Sequence, residues 1–150
     1  MKIRNGFVSN SSSSSFVIVN AKKGYEKLEP TQDSVYKIGN CGTTEFGWGV
    51  EDITDIHSRI NFALIQALLT NREDWIGMIE NVILENSDSI KELEFSITVD
   101  YNNKEKIHGY IDHQSSACEG ENVEIFKNKK NLKDFIFGKN SSIHLDNDNH

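Results

Sequence analysis

The serine run that follows Asn10 is the most unusual segment of this 150-residue sequence. Ser11 to Ser15 separate two apolar residues, Val8 and Phe16. The run predicts either a plain loop, because serine hydroxyls compete with backbone hydrogen bonding, or a concavity whose hydroxyls and N–H groups bind an anion or a sugar. It is not a P-loop, since it lacks the glycines and the Gly-Lys-Ser/Thr ending. The candidate ligand-binding residues here are Asn10, Ser11, Ser12, Ser13 and Ser14.

A second candidate is the polar step Asp112-His113-Gln114-Ser115, which follows the clearest strand pattern of the chain. Asp, His and Ser together suggest a catalytic triad, but consecutive residues of an extended chain point to opposite faces. Asp112 and His113 therefore do not pair simply as neighbours. Two interpretations stay open: a polar site that distant residues complete, with His113 as general acid–base, or a turn whose hydrogen bonds are satisfied.

Two further histidines lie on predicted elements. His57 falls at the edge of a helical apolar stripe, where a packed, hydrogen-bonded histidine is expected more often than a ligand. His144 alternates with apolar neighbours, so it shares the polar face of a strand with Asp146. If that face met Asp112 and His113, two histidines and two acids would form an acid–base or metal-binding set. The sequence does not show that they meet, and we predict no metal and no cofactor.

Charge and cysteine content limit the partners. A formal net charge of −7 and a pI near 5.2 argue against general nucleic-acid binding, which relies on net-basic surfaces. Cys41 and Cys118 lack CxxC spacing and nearby histidines, so we predict two reduced thiols. The positive charges that are present form two clusters, which are either solvated surface or a patch for an anionic ligand. The first contains Lys2, Arg4, Lys22, Lys23 and Lys27, and the second Lys127, Lys129, Lys130 and Lys133.

The elements that must position these residues begin with strand patterns and continue with two helices. Strands are predicted at 16–19 and 34–38, with a third stretch around Phe46 and Trp48. An apolar stripe from Ile53 to Leu68 predicts a first helix with acids in its first turn, and Asn71 is the predicted cap of a second. Both stripes are narrow, so we expect each helix of this hairpin to have one side on a sheet and the other in water.

The second half returns to strands. Strict alternation from Leu93 to Val99, turn residues at 101–104 and renewed alternation from Ile107 predict a β-hairpin over 93–112. A short helix is predicted to end at Gly138 in a left-handed stop, and a last strand spans 142–145. Residues 146–150 are expected to fray unless a site holds them. The expected fold is a single α+β domain over 1–150, with a mainly antiparallel sheet of five or six strands and the helical hairpin and short helix on one face.

Two segments carry a family resemblance. The string Arg4-Asn-Gly-Phe-Val-Ser-Asn-Ser-Ser-Ser-Ser-Ser-Phe16 resembles the opening of uncharacterised small proteins of bacteriophages and low-GC bacteria, and the step from Asp112 to Ser115 is similar to an element that accompanies it. The resemblance covers about a tenth of the chain and implies an origin rather than a mechanism. If the segments converge, Asn10, Ser11, Ser12, Asp112, His113, Gln114, Asn140 and Asp146 would form one polar site.

Three function classes follow, in a cytoplasmic setting within a bacterial host cell. The setting follows from apolar runs of only about four residues and an N-terminus without an apolar signal region. The first class is a small phage-type accessory protein that binds a host protein or a small anionic ligand without turnover. The second is a hydrolase or transferase for a phosphate- or nucleotide-like substrate, with Asp112 or Asp146 orienting His113. The third is a structural or assembly subunit of a virion.

Overall fold

Three helices and four small sheets make up the α+β fold of the computed structural model, which describes residues 2–3, 13–47, 50–111 and 124–147. In chain order, the elements are β1 (Lys2–Ile3), β2 (Ser13–Ile18), β3 (Val35–Ile38), β4 (Glu45–Phe46), β5 (Val50–Ile53), α1 (Ile56–Leu69), α2 (Glu73–Glu85), β6 (Glu92–Phe95), β7 (Ile97–Thr98), β8 (Ile107–His108), β9 (Tyr110–Ile111), α3 (Lys129–Phe137) and β10 (Ser142–Asn147). The predicted fold class is confirmed. Within this described part, no helix is both long and apolar enough to cross a membrane.

The main sheet is antiparallel throughout, as predicted, and has the strand order β1-β2-β10-β5. Strand β10 is central, because Ile143 pairs with Val17 of β2 on one side and with Ile53 of β5 on the other. Ile143 and Val17 are fully buried, so the sheet contributes directly to the hydrophobic core. This sheet has four strands in the described residues, fewer than the five or six expected.

Three parallel strand pairs replace the rest of the expected sheet: β3 with β6, β4 with β9, and β7 with β8. The predicted hairpin over 93–112 is therefore wrong. The backbone N–H groups of Ile107 and Gly109 donate to the carbonyls of Ser96 and Thr98, which is a parallel pattern. Alternation indicates which residues of a strand share a face, but it carries no information on strand direction. Ile107, predicted on the apolar face, is exposed.

Helix α1 begins at Ile56, one turn later than predicted, because Ile53 belongs to β5. Asp55 precedes the helix as its N-cap, with a carboxylate oxygen that accepts the Ser58 N–H at 2.9 Å. The predicted Asn71 cap of α2 is also wrong. Asn71 adopts a left-handed conformation, with φ of 56°, in the short link between the helices, and Arg72 takes the N-cap position. Helices α1 and α2 form the predicted packed pair.

Burial of α1 is far more extensive than its apolar stripe predicted. Its polar residues Ser58, Arg59, Asn61 and Gln66 are all at most 2% exposed, so the expectation that one side of α1 faces water is wrong. Loops cover that side: the Asn61 amide donates to the carbonyls of Cys41 and Thr43 at 2.8 and 2.9 Å. Helix α1 is thus the central element of the core, in contact with α2, α3 and three of the small strands.

Gly138 ends α3 but does not adopt the predicted left-handed conformation, since its φ is −63°. A glycine is required there for a different reason. A Cβ atom at this position would lie 2.3 Å from the Asp134 carbonyl oxygen and 2.5 Å from the Asn20 carbonyl oxygen. The close approach brings the end of α3 against the segment that follows β2.

We expect Gly138→Ala to lower the free energy of unfolding by about 1–3 kcal/mol, because the new methyl group meets backbone atoms that cannot move aside cheaply. Gly77→Ala is the matched control. Position 77 lies in α2 with open space around its Cβ position, so alanine should stabilise the protein by about 0.5–1 kcal/mol. Urea denaturation measures both, and equal effects of the two substitutions would contradict the close-approach argument.

Candidate functional site

A pocket of about 380 Å³ lies between the segment that follows β2 and helix α3. We call residues 19–25 of this segment the pocket strap. The strap forms one wall of the pocket, and α3 with the turn before it forms the other. Among the described residues, the lining consists of Val19, Asn20, Ala21, Lys22, Tyr25, Glu124, Lys130, Asn131 and Asp134.

The pocket strap owes its shape to a tight turn. The Gly24 N–H donates to the Ala21 carbonyl at 3.0 Å, and Gly24 has a φ of +102°, a conformation that side chains disfavour. At the start of the turn, the Asn20 side-chain oxygen accepts the Lys22 N–H at 3.0 Å. The turn therefore gives Lys22 and Tyr25 defined positions at the pocket.

Hydrogen bonds tie the pocket strap to the end of α3. The Ser141 hydroxyl accepts the Asn20 N–H at 2.9 Å and donates to the Asp134 carbonyl at 2.6 Å. The Lys139 N–H donates to the Gly24 carbonyl at 3.0 Å. Because the bonds from Asn20 to Ser141 and from Lys139 to Gly24 span more than a hundred residues of sequence, tertiary contacts hold the two pocket walls together.

Arg59 anchors this arrangement from inside the core. Its guanidinium, which is fully buried, donates to the carbonyls of Phe135 and Gly138 at 3.0 and 2.7 Å and forms an ion pair with Glu26, directly after the pocket strap. Burial lowers the pKa of Arg59, and the Glu26 carboxylate opposes that shift. One side chain of α1 thus connects the end of α3 with the residue that follows the pocket strap.

The pocket brings together one lysine from each of the two basic clusters that are separate in sequence. Lys22 and Lys130 line it, the Lys133 ammonium lies 4.2 Å from the centre of the Tyr25 ring, and Lys139 packs beside Gly24. The nearby carboxylates are Glu124 and Asp134. Among the described lining residues, the charges of Lys22 and Lys130 balance those of Glu124 and Asp134, and Lys133 and Lys139 lie beside the pocket, in a chain whose net charge is −7.

Asp134 is ionised and already engaged at this site. Its carboxylate accepts hydrogen bonds from Lys130 Nζ and from the Tyr25 hydroxyl, both at 2.7 Å. Burial alone would raise the pKa of Asp134, but these bonds and the nearby positive charge of Lys133 hold that pKa below its usual value. The bond to Asp134 in turn raises the pKa of Tyr25, which stays a hydrogen-bond donor.

The serine run and the end of β10 are neighbours in the main sheet. Ser13 and Ser14 belong to β2 rather than to a loop, and they pair with Asn147 and Asp146 of β10. Asp146 also pairs with Val50 on the other side, so its backbone is held in the sheet rather than frayed. Two of the predicted ligand-binding segments therefore do lie side by side.

Asn140 lies at the other end of β10. Its N–H donates to the Asn20 carbonyl at 3.3 Å, next to the pocket described above. Strand β10 begins at Ser142, and its four residue steps from Ser142 to Asp146 extend about 13 Å. Asn140 and Asp146 therefore lie at opposite ends of this strand. The remaining candidates, Asn10, Ser11, Ser12, Asp112, His113, Gln114 and Ser115, lie outside the described residues, as do Trp48 and Cys118.

His57 and His144 both have partners. His57 Nδ1 is 2.7 Å from the hydroxyl of Tyr36, with the two rings stacked at 5.7 Å, which confirms the predicted packed, hydrogen-bonded histidine. Burial raises the pKa of this tyrosine. His144 Nδ1 contacts the Asp52 carboxylate across the β10–β5 pair. Cys41 is an exposed free thiol, and the part of the chain described here contains no His, Cys, Asp or Glu cluster that could hold a metal.

Sequence reasoning found the lysines of the pocket but missed Asn20, Tyr25, Asn131 and Asp134. The available signal was the pair of turn residues Asn20 and Gly24. They mark a turn that contains Lys22 and Lys23 and is followed directly by Tyr25. Nothing in the sequence indicated that this turn faces α3.

We expect Arg59→Met to lower the free energy of unfolding by about 3 kcal/mol, because the substitution leaves Glu26 and two buried carbonyls without their donor. Arg72→Met is the matched control, since it removes an exposed ion pair with Asp74 and should cost far less. Urea denaturation of both variants checks this, and similar losses would show that Arg59 has no special role.

The lowered pKa of Asp134 predicts a pH dependence. Because the pKa of Asp134 is lower in the folded state than in the unfolded chain, ionised Asp134 stabilises the folded state at pH values above its unfolded-state pKa. That stabilisation disappears as the pH falls through the folded-state pKa. We therefore expect Asp134→Asn to be less stable than wild type at pH 7, with the difference shrinking below about pH 4. Unfolding midpoints between pH 7 and 3 measure it. Asp88→Asn, which removes a carboxylate from an exposed position, is the matched control.

The chain matches no protein-family model, and neither a curated protein nor a solved structure is similar to it.

Proposed function

We propose that this protein is a small accessory binding protein of the phage type, which captures a small anionic ligand between the pocket strap and α3 without chemical turnover. The observation that carries the proposal is the meeting at one pocket of Lys22 and Lys130, one from each basic cluster, with Lys133 beside it at the Tyr25 ring. In a chain of net charge −7, lysines from distant segments that meet in this way are a specific feature of the surface rather than a consequence of composition.

The charge distribution of α3 supports the same proposal. Lys129 and Lys130 are in its first turn, and that turn contains no acidic residue. A helix N-terminus already carries partial positive charge, so lysines there oppose the helix dipole and acidic residues would be favoured. Lys129 pairs with Glu85 and Lys130 with Asp134, which relieves part of this repulsion. A bound anion would relieve more of it, because Lys130 also lines the pocket.

Lys22 is the strongest candidate for direct contact with the ligand. It lines the pocket from the strap, and its ammonium makes no ion pair with any residue in the described ranges. Lys130, in contrast, already donates to Asp134 at 2.7 Å. A phosphate or carboxylate group in the pocket would therefore gain its first charge-assisted hydrogen bond from Lys22 and share Lys130 with Asp134.

We expect wild type to bind inorganic phosphate and ribose 5-phosphate, and Lys22→Gln to weaken that binding about tenfold, as the loss of one charged hydrogen bond implies. Isothermal titration calorimetry at low salt measures the affinities, and raised ionic strength should weaken them. Lys106→Gln is the matched control, because it removes the same charge from an exposed position outside the pocket. The proposal is wrong if wild type binds neither compound, or if both variants lose affinity equally.

A further inference from the structure

Tyr25 is an exposed aromatic residue with an unusually well defined position. Its ring lines the pocket and is 41% exposed, whereas most aromatic rings of the described residues are in the core. The hydroxyl donates to Asp134 at 2.7 Å, and the Lys133 ammonium lies 4.2 Å from the ring centre. The ring is therefore held at its hydroxyl end and covered on one face.

Because the Lys133 ammonium covers one face of the Tyr25 ring, a planar group can stack only on the other face. Stacking of a nucleobase on an aromatic side chain is favourable for every base, since each has a π-face, and a ring that is already ordered loses little conformational entropy on binding. Simple sugar phosphates, in contrast, have no planar group that would use the Tyr25 ring.

Two amide side chains at the pocket add hydrogen-bonding groups. The Asn20 oxygen accepts the Lys22 N–H, while its NH₂ group has no partner in the described ranges. Asn131 is the opposite case: its NH₂ group donates to the Glu124 carbonyl at 3.2 Å, and its side-chain oxygen accepts from none of the described residues. The pocket therefore offers one amide donor and one amide acceptor, which is the combination that a nucleobase edge carries.

Size and charge restrict the ligand further. A volume of about 380 Å³ is near the lower end of small-molecule pockets, which run from about 300 to 1,000 Å³, so it suits one nucleotide rather than a dinucleotide. The net charge of −7 disfavours a long polyanion. Resting on the proposed function, we propose that the ligand is a free nucleoside monophosphate, with its base stacked on Tyr25 and its phosphate at Lys22 and Lys130.

The test compares adenosine 5′-monophosphate with ribose 5-phosphate on wild type, Tyr25→Leu and Tyr25→Trp, by isothermal titration calorimetry. We expect wild type to bind the nucleotide roughly tenfold or more tightly than the sugar phosphate. Tyr25→Leu should remove the preference, so that the nucleotide and the sugar phosphate bind this variant with equal affinity. Tyr25→Trp should retain the preference, because tryptophan also stacks.

The outcomes separate this inference from the proposed function. If wild type binds both compounds equally, and Lys22→Gln weakens both, the anion-binding function stands and the nucleotide assignment is wrong. A nucleotide preference that survives Tyr25→Leu also overturns the assignment, since the base would then bind elsewhere. Binding of a single-stranded hexanucleotide in place of the monophosphate overturns the choice of a free nucleotide. If neither compound binds, the proposed function fails and this inference fails with it.

Discussion

The buried guanidinium of Arg59 is the interaction on which the rest of the arrangement depends. A charge without water is tolerated only where hydrogen-bond acceptors surround it, and its acceptors come from the end of α3 and from Glu26. If the end of α3 or Glu26 moved away, the buried guanidinium would lose acceptors. The position of Arg59 on α1 therefore restricts where both can lie. The pocket strap precedes Glu26, and α3 precedes Gly138, so this side chain joins the Ser141 hydrogen bonds and the close approach at Gly138 in setting how the two pocket walls meet.

Local order could be predicted where a single element determines it. The sequence predicts three such elements: helix α2, the strand at 35–38 and the buried face of α3. Each needs only that one of its faces packs on an apolar surface, whichever surface that is. Arg59 and Asn61 show the limit. As polar residues they resemble a solvent-facing side of α1, and only the carbonyls of Cys41, Thr43, Phe135 and Gly138 make their burial favourable. Those partners are distant in sequence.

The candidate site shows the same limit in terms of charge. Lys22 and Lys130 were visible as members of separate basic clusters, but their meeting depends on the Ser141 hydroxyl and the close approach at Gly138. Asp134 shows why composition alone is not enough. An acid in a basic segment suggests only that it offsets the charge of neighbouring lysines, whereas in the fold Asp134 orients both Lys130 and Tyr25. The sequence pattern also does not indicate whether two strands pair in parallel or antiparallel, as the parallel β7–β8 pair shows.

The central place of β10 has a consequence for synthesis of the chain. Ile143 pairs with Val17 and with Ile53, residues that leave the ribosome 126 and 90 positions earlier. Until β10 emerges, β2 and β5 have no partner between them and expose unpaired edges, so the main sheet forms late and from long-range contacts, a pattern associated with slow folding. The helical pair α1–α2, whose contacts are local, can be ordered well before that. In the cell, the nascent chain would therefore pass through a stage at which its helices are formed while its sheet edges are open to chaperones.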